Sequence, residues 1–386
     1  MSKKKKIVLT ITTAVSFVLV VLIIYVCYVM FSYYRIEDNL KLNILNNQDD
    51  AVELNNEYKI STYNIGFGAY SQDFSFFMDK GYLENGKKVK GKQSKAKNKE
   101  TVINNTNGVI DTIKAFNPDF MFFQEVDTKS NRSKKVNQYN LMNIAFEEYS
   151  NVYANNFHSP FLMYPIFKPH GTVNSGITTY SKYKIDESIR KSFTVTTAMF
   201  SKLFDLDRCF NANFIPINGS DKYLVLINLH MSAFDKGGVI RAEQMKELNS
   251  FMNEMVDQGN YVVAGGDFNH DLLTNNPNFD YTLDNLPFKD QFKQPTPDWL
   301  SFLFDENNEM PIDSKFRIVA SDNIPSCRTT DIDYRPGYTY QCVVDGFIVS
   351  SNIEVIDHKN IETEINGIKG YAFSDHQPAT MTFKLK

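Results

Sequence analysis

The sequence predicts an α/β domain held behind one apolar N-terminal helix, and three observations support this. Short runs of strand-forming residues recur along the chain, at 58–64, 119–125, 222–229, 261–264 and 341–349, with helically spaced apolar residues between several of them. Residues 7–34 carry no charge, and about 20 apolar residues suffice to cross a bilayer as a helix. Most of the strand-like runs end in a carboxylate, an amide or an imidazole, which is where open α/β sheets place their ligand contacts.

The bulk numbers agree with a folded domain. Of 386 residues, 42% are hydrophobic and 22% charged, enough to bury a sizeable core. A formal net charge of −4 excludes the overall excess of base typical of DNA binders, so any phosphate affinity must come from local clusters. Four cysteines are too few for a disulfide scaffold, and their spacing fits no zinc pattern. Cys327 and Cys342 are open between a disulfide and two partly buried thiols.

Lys3, Lys4, Lys5 and Lys6 precede the uncharged run. The run is too long for a cleaved signal peptide, and no small-x-small site follows it. Val26 stands where lipid attachment at Cys27 would want a small residue. The lysines predict an N-terminus inside and a domain outside the cytoplasm. The expected organisation is a basic tail at 1–6, a single transmembrane helix at 7–34, a polar linker at 35–57 with one helical turn near 40–45, and one catalytic domain at 58–386. No internal repeat is present.

Within that domain, residues 58–64 alternate like a strand and end in Asn64. Residues 80–99 carry eight lysines and no apolar periodicity, so they read as an exposed loop. That loop is either a solvated insertion or an electrostatic collar for an anionic substrate or surface. A helix over 101–116 is stopped by Asn117-Pro118. The buried strand that follows ends in Glu125, a carboxylate costly to bury unless it meets a cation. Arg132 is open between the surface and a phosphate.

A second helix is expected over 136–149, then a strand near 151–154. Residues 157–167, crowded with aromatics and prolines, read as a packed loop rather than a membrane-dipping one. A strand begins near 173, and Arg208 faces either Asp207 or substrate. The strand at 222–229 delivers His230, and apolar residues from Met245 to Val256 line the helix that Gly259 closes. Gly265-Gly266 then let the chain turn after the strand at 261–264. Alternation would send Asp267 and Asn269 to the same side, suited to a divalent metal, an activated water or a phosphate oxygen. His270 and Asp271 read as the cap of the next turn. After an irregular region at about 272–335, Asp345 interrupts an apolar strand. Asp375-His376 precedes the last strand, an acid beside an imidazole that serves proton transfer when a further acid orients the ring.

Taken in order, Thr62-Tyr63-Asn64, Phe123-Gln124-Glu125-Val126, Asn228-Leu229-His230, Gly266-Asp267-Phe268-Asn269, Val344-Asp345-Gly346 and Ser374-Asp375-His376 resemble the endonuclease/exonuclease/phosphatase superfamily. The resemblance covers about 58–386. It implies a four-layered α/β sandwich, two mixed sheets packed face to face with helices outside, and Mg²⁺- or Mn²⁺-dependent hydrolysis of a phosphate ester. It implies Glu125 as principal metal ligand, with Asn64 beside it and Asp375 completing the acidic end. Asp267 and Asn269 would position water and the scissile phosphate. His376, oriented by Asp345, would be base or charged stabiliser, the choice between it and Asp267 staying open. His230 would contact a phosphate oxygen and could protonate the leaving group, and Asn174 matches the family position of an active-site polar residue. From their own sequence contexts, Arg132 and Arg208 are the further candidates to face substrate.

A phosphodiesterase is therefore expected, with a binding module that keeps the fold without turnover as the contrasting class. A nuclease is the first substrate reading, from the context of His230 and the lysine loop. A sphingomyelinase-like or other phospholipid-headgroup hydrolase is the second. No protein partner is inferable.

Overall fold

The computed structural model describes residues 2–32, 34–83, 85–195, 207–233, 238–273 and 315–386. Most of the irregular stretch expected at 272–335 lies outside the described residues.

The chain opens with helix α1 (Lys3–Phe31), none of whose apolar window is buried in the protein. Short strands β1 (Leu40–Lys41) and β2 (Ile44–Leu45) follow. Then come β3 (Glu57–Asn64), α2 (Lys99–Phe116), β4 (Phe120–Asp127), α3 (Gln138–Ala145), β5 (Ser150–Leu162), β6 (Gly171–Ser181), β7 (Glu187–Ser192), β8 (Cys209–Pro216), β9 (Tyr223–His230) and α4 (Val239–Asp257). The remaining sheet strands are β10 (Tyr261–Asp267), β11 (Phe316–Val319), β12 (Asp345–Ser350), β13 (Ile353–Asn360) and β14 (Ala379–Leu385).

They form two seven-stranded sheets, ordered β1-β7-β8-β9-β10-β12-β11 and β13-β14-β3-β4-β6-β5-β2. Each is mixed, with one parallel pair, β9–β10 in the first sheet and β3–β4 in the second. Alternation along the strands builds the layers. Leu224, Leu226, Val263 and Phe347 of the first sheet meet Ile60, Phe120 and Phe122 of the second in one core. Val225, Ile227 and Val262 turn the other way onto Met245, Leu248 and Met252 of α4. Met121 and Phe123 face Val109 and Ile113 of α2 and Met142 of α3. A strand covered on both faces is apolar throughout, so these runs show little polar alternation. The expected four-layered sandwich is what the chain forms.

The segment between α1 and the domain differs from expectation. It contains two edge strands rather than a helical turn, and β1 and β2 add to opposite sheets through Leu40↔Arg190 and Ile44↔Val152. It is pinned at its start as well. Arg35 Nε lies 2.7 Å from Asp207, the Ile36 N–H donates to Asp207 at 2.7 Å, and Tyr34 stacks on His158 at 3.9 Å.

The helix expected over 136–149 is shorter, with Asn137 accepting the Asn140 N–H as its N-cap. The lysine-rich loop contains a two-stranded ribbon, 80–82 against 88–90. The strand near 151–154 continues to Leu162, and the tip beyond it is exposed rather than packed.

Candidate active site

Strand direction, not nearness in sequence, assembles the site. β9 and β10 run parallel with His230 beside Asp267, and β12 runs antiparallel with Asp345 opposite Asp267. The last residues of two strands and the first residue of a third thus share one sheet edge. Asp345 therefore opens its strand instead of interrupting it, because Gln341–Cys342 belong to a separate ribbon with Cys327–Arg328. In the facing sheet β3 ends at Asn64. Asp375 and His376 arrive just before β14, which runs antiparallel to β3 with Ala379 opposite Thr62.

Gly265 and Gly266 lie inside β10, not in a turn after it. A Cβ on Gly265 would stand 2.5 Å from Phe347 Cδ1, and one on Gly266, at φ +149°, would stand 2.0 Å from the Leu229 carbonyl oxygen. Close approach of neighbouring strands, rather than chain reversal, requires them. The turn comes at Asn269, at φ +50°. The Asn269 N–H donates to Asp267 Oδ1 at 2.8 Å and its Nδ2 to the Met231 carbonyl at 2.9 Å. Asp267 and Asn269 reach one cavity through this turn and not through strand alternation.

Glu125 sits at a register shift of β4 on β6, between Phe123 and Val126, with φ +56°. A bulge re-aims its side chain, and non-glycine residues at positive φ cluster at functional sites. Glu125 is 23% exposed, and its carboxylate lies 3.4 Å from Arg132 Nη1. Arg132 is itself buried. It donates from Nε and Nη2 to Asp127 (2.9 Å at closest) and from Nη2 to Ser175 Oγ at 3.2 Å, with its guanidinium 4.1 Å from the Phe67 ring centroid. Its donors are directed at protein groups, Asp127, Ser175 and Glu125.

A cavity of about 380 Å³ collects Asn64, Glu125, Arg132, Arg208, His230, Asp267, Asn269, Asp375 and His376. Asn174 is not among its lining residues; its side-chain oxygen accepts from Asn155 instead. Asn64 donates from Nδ2 to Asp267 Oδ2 at 2.9 Å and accepts the Gly66 N–H at 3.0 Å. His230 Nε2 lies 3.3 Å and His376 Nε2 3.7 Å from the same Asp267 oxygen. His376 Nδ1 lies 2.8 Å from Asp345 Oδ2.

The charges follow from these neighbours. Burial works against ionising Asp267, but His376 and His230 outweigh it and hold the carboxyl well below the usual range. Burial and then Arg208 push His230 below its ordinary value, against the pull of Asp267. Burial opposes charge on His376 too, yet Asp345, and after it Asp267, raise it well above the ordinary imidazole value. Burial likewise raises Asp345, so the His376–Asp345 pair keeps a proton between its members. Glu125 is lowered because Arg132, His230, Arg208 and His376 together exceed its burial cost.

Donor atoms of Asp267, Asp345 and His376 lie within 4.8 Å of one another. The hydrogen bond from His376 to Asp345 engages the atoms a metal would need, so this trio is an acid–imidazole–acid chain. Glu125 and Asp375 suit a hard cation better. Both line the cavity, and burial pushes Asp375 up to about 6, with His376 opposing and Glu125 adding to the rise. A divalent cation bound by carboxylate oxygens would relieve that like-charge repulsion.

Four contributors escaped the sequence reading. Ser326 Oγ donates to Asp345 Oδ2 at 2.7 Å and accepts the Val344 and Asp345 N–H groups. Cys327 Sγ lies 3.5 Å from His376 Nε2. Both fall in the irregular stretch, where no periodicity marks a residue. Asp127, which holds Arg132, is visible only once the bulge is known. Tyr70 lines the cavity from a segment with no strand pattern.

The sequence model of the endonuclease/exonuclease/phosphatase family matches residues 62–376. No curated protein matches this sequence. Among solved structures, an endonuclease/exonuclease/phosphatase from Beutenbergia cavernae superposes with TM-score 0.51 at 14% identity, covering 85% of this chain and 72% of that one. One from Bacteroides vulgatus gives 0.50 at 14% identity, covering 86% and 100%. Truncated Caenorhabditis elegans TDP2 gives 0.49 at 15% identity, covering 85% and 97%. The likeness to the first two is one of fold.

Proposed function

The chain belongs to the endonuclease/exonuclease/phosphatase family, whose members are phosphoric ester hydrolases, and on that premise we propose a phosphodiesterase that uses an activated water and Mg²⁺ or Mn²⁺. The observation that carries this reading is the convergence of Asn64, Glu125, His230, Asp267, Asn269, Asp375 and His376 on one cavity.

Glu125 and Asp375 would hold the cation, whose bound charge would neutralise that building on the phosphate. Asn64, with its amide on Asp267, ties this acidic end to the nucleophile side. Asp267 is ionised, and it orients the attacking water and accepts its proton as the P–O bond forms. Asp345 keeps His376 protonated, and the imidazolium stabilises the phosphorane-like oxygens and supplies a proton to the leaving oxygen. His230 and Asn269 bind the phosphate. Arg132 fixes Glu125, and Arg208 adds positive charge at the cavity wall. No serine or cysteine nucleophile is required.

Nucleic acid is the first substrate reading, supported by the exposed lysines of the ribbon at 80–90. A phospholipid headgroup is the second, supported by Phe76, Phe77, Met78 and Leu162 in the cavity lining. Helix α1 would cross the membrane with Lys3 to Lys6 inside and the domain outside the cytoplasm. Hydrolysis of bis-p-nitrophenyl phosphate by the full chain in detergent tests the activity. No turnover with either cation, or undiminished turnover in Glu125→Gln and His376→Ala, overturns it. A panel of DNA, RNA, sphingomyelin and inositol phosphates then separates the substrates.

A further inference from the structure

The hairpin joining β5 to β6 presents its apolar residues outward. Met163 is 49% exposed, Tyr164 51%, Ile166 75% and Phe167 97%. Outside α1, no other five-residue stretch among the described residues carries four exposed large apolar side chains. Scattered exposed apolar residues are ordinary; a contiguous cluster marks an interaction surface.

The hairpin is firmly built. Its turn closes with the Lys168 N–H on the Pro165 carbonyl and the His170 N–H on the Tyr164 carbonyl, both at 3.0 Å. Ser94 Oγ donates to the Lys168 carbonyl at 2.6 Å, and His170 Nδ1 donates to the Ser94 carbonyl at 2.7 Å. The Tyr164 ring packs on Phe77 with centroids 5.7 Å apart. Folding thus spends hydrogen bonds to hold these apolar side chains away from the core.

Contacts with α1 identify what they meet. Tyr28 Oη accepts the Phe161 N–H at 3.2 Å, whereas Tyr25 Oη accepts the Met163 N–H at 2.9 Å and donates to the Phe161 carbonyl at 3.2 Å. As the strand advances from Phe161 to Met163, its helical partner retreats from Tyr28 to Tyr25. The hairpin therefore heads back along α1 toward the lysine end. About 20 residues at 1.5 Å each span the roughly 30 Å of hydrocarbon. Counted from Ile7, that places Tyr25 and Tyr28 at the far boundary, the level where tyrosines concentrate. Residues 164–167, beyond Met163, then lie at or below that boundary.

Charge agrees with the placement. Lys168 is exposed at the tip, and Lys80, Lys87, Lys88, Lys90 and Lys92 are exposed on the ribbon whose flanks, Phe77 and Ser94, hold the hairpin. Basic side chains beside an apolar tip suit anionic headgroups over hydrocarbon. The contacts of Tyr34 and Arg35 with His158 and Asp207 fix where α1 leaves the domain.

We propose that the 163–168 hairpin inserts its apolar tip into the leaflet that holds the C-terminal end of α1, giving the domain a second contact with the bilayer. Phe77, Leu162 and His170 belong both to the hairpin's root and to the cavity wall, so this contact sets the cavity beside the lipid headgroups. The inference rests on the proposed membrane crossing of α1.

The test uses the full chain reconstituted in phosphatidylcholine/phosphatidylglycerol vesicles with brominated acyl chains. Trp299 is the sole tryptophan, so Trp299→Phe combined with Phe167→Trp gives one reporter at the tip, and combined with Phe17→Trp gives one in α1. The expected result is loss of most emission from both reporters, with the tip reporter quenched from a shallower depth. If the α1 reporter is quenched while the tip reporter emits as in water, the hairpin proposal falls and the crossing stands. If the α1 reporter is unquenched, the crossing falls and the proposal with it. A tip reporter shielded from iodide but unaffected by bromine marks a protein neighbour, such as a second copy, and also overturns the proposal. Should Trp299→Phe fail to fold, the difference between Phe167→Trp and its Trp299-bearing parent reads the same signal.

Discussion

Asp267 and Asp345 stand opposite each other across the antiparallel pair of β10 and β12, and the His376 imidazole bridges them, 2.8 Å from Asp345 Oδ2 and 3.7 Å from Asp267 Oδ2. One carboxylate charges the ring while the other stays ionised beside it. Asp345→Asn removes the charge that sustains the imidazolium but keeps the shape of the side chain. Turnover is expected to fall by about 10²–10⁴-fold, with little change in KM. Steady-state kinetics with bis-p-nitrophenyl phosphate checks this, and an unchanged kcat removes Asp345 from the mechanism.

Chelation provides the next test. With Glu125 and Asp375 lining one cavity as the proposed cation ligands, EDTA should abolish hydrolysis and added Mg²⁺ or Mn²⁺ should restore it. Glu125→Gln should remain folded by circular dichroism while losing the restored activity.

Arg132 is a matter of stability as well. Removing it leaves Asp127 buried without its cation, and Arg132→Leu should cost roughly 3–5 kcal/mol. Arg132→Lys should recover only part, because a lysine cannot reproduce the paired bonds to Asp127. Urea unfolding of the two variants measures the difference.

Gly266→Ala should be among the most damaging single changes in the chain. Its Cβ would lie 2.0 Å from the Leu229 carbonyl oxygen, at a φ side chains rarely adopt. The two parallel strands that carry His230 and Asp267 would have to part, and soluble expression of the variant is expected to collapse.

Acid should weaken the fold through His170. Burial, and secondarily Arg132, lower its imidazole from 6.5 to about 4, and its Nδ1–H donates to the Ser94 carbonyl. Between those values the unfolded chain binds a proton that the native chain does not. Stability from this group is whole above about pH 6.5 and declines toward about pH 4, by about 3 kcal/mol in all. His170→Asn should flatten that part of the melting-temperature profile between pH 7 and 4.

Much of the site was legible in the sequence because strand chemistry is local. Strand-like runs ending in Asn64, Glu125, His230 and Asp267 mark themselves, as does the charge-free stretch that became α1. Periodicity names a strand and its last residue without reference to the rest of the chain, and the order of such ends was enough to indicate the family and its layers. What periodicity cannot carry is strand direction, register and the path of irregular segments. Only the tertiary structure put Asp345 at the start of a strand facing Asp267, bulged Glu125 toward the cavity and buried Arg132 on Asp127. It also placed Gly265 and Gly266 inside a strand, turned residues 40–45 into edge strands of both sheets, and raised the 163–167 tip beside α1. Apart from the Arg132–Asp127 pair, five residues apart, each of these depends on a contact between residues distant in the chain, and such a contact leaves no trace in the local alternation of apolar and polar side chains.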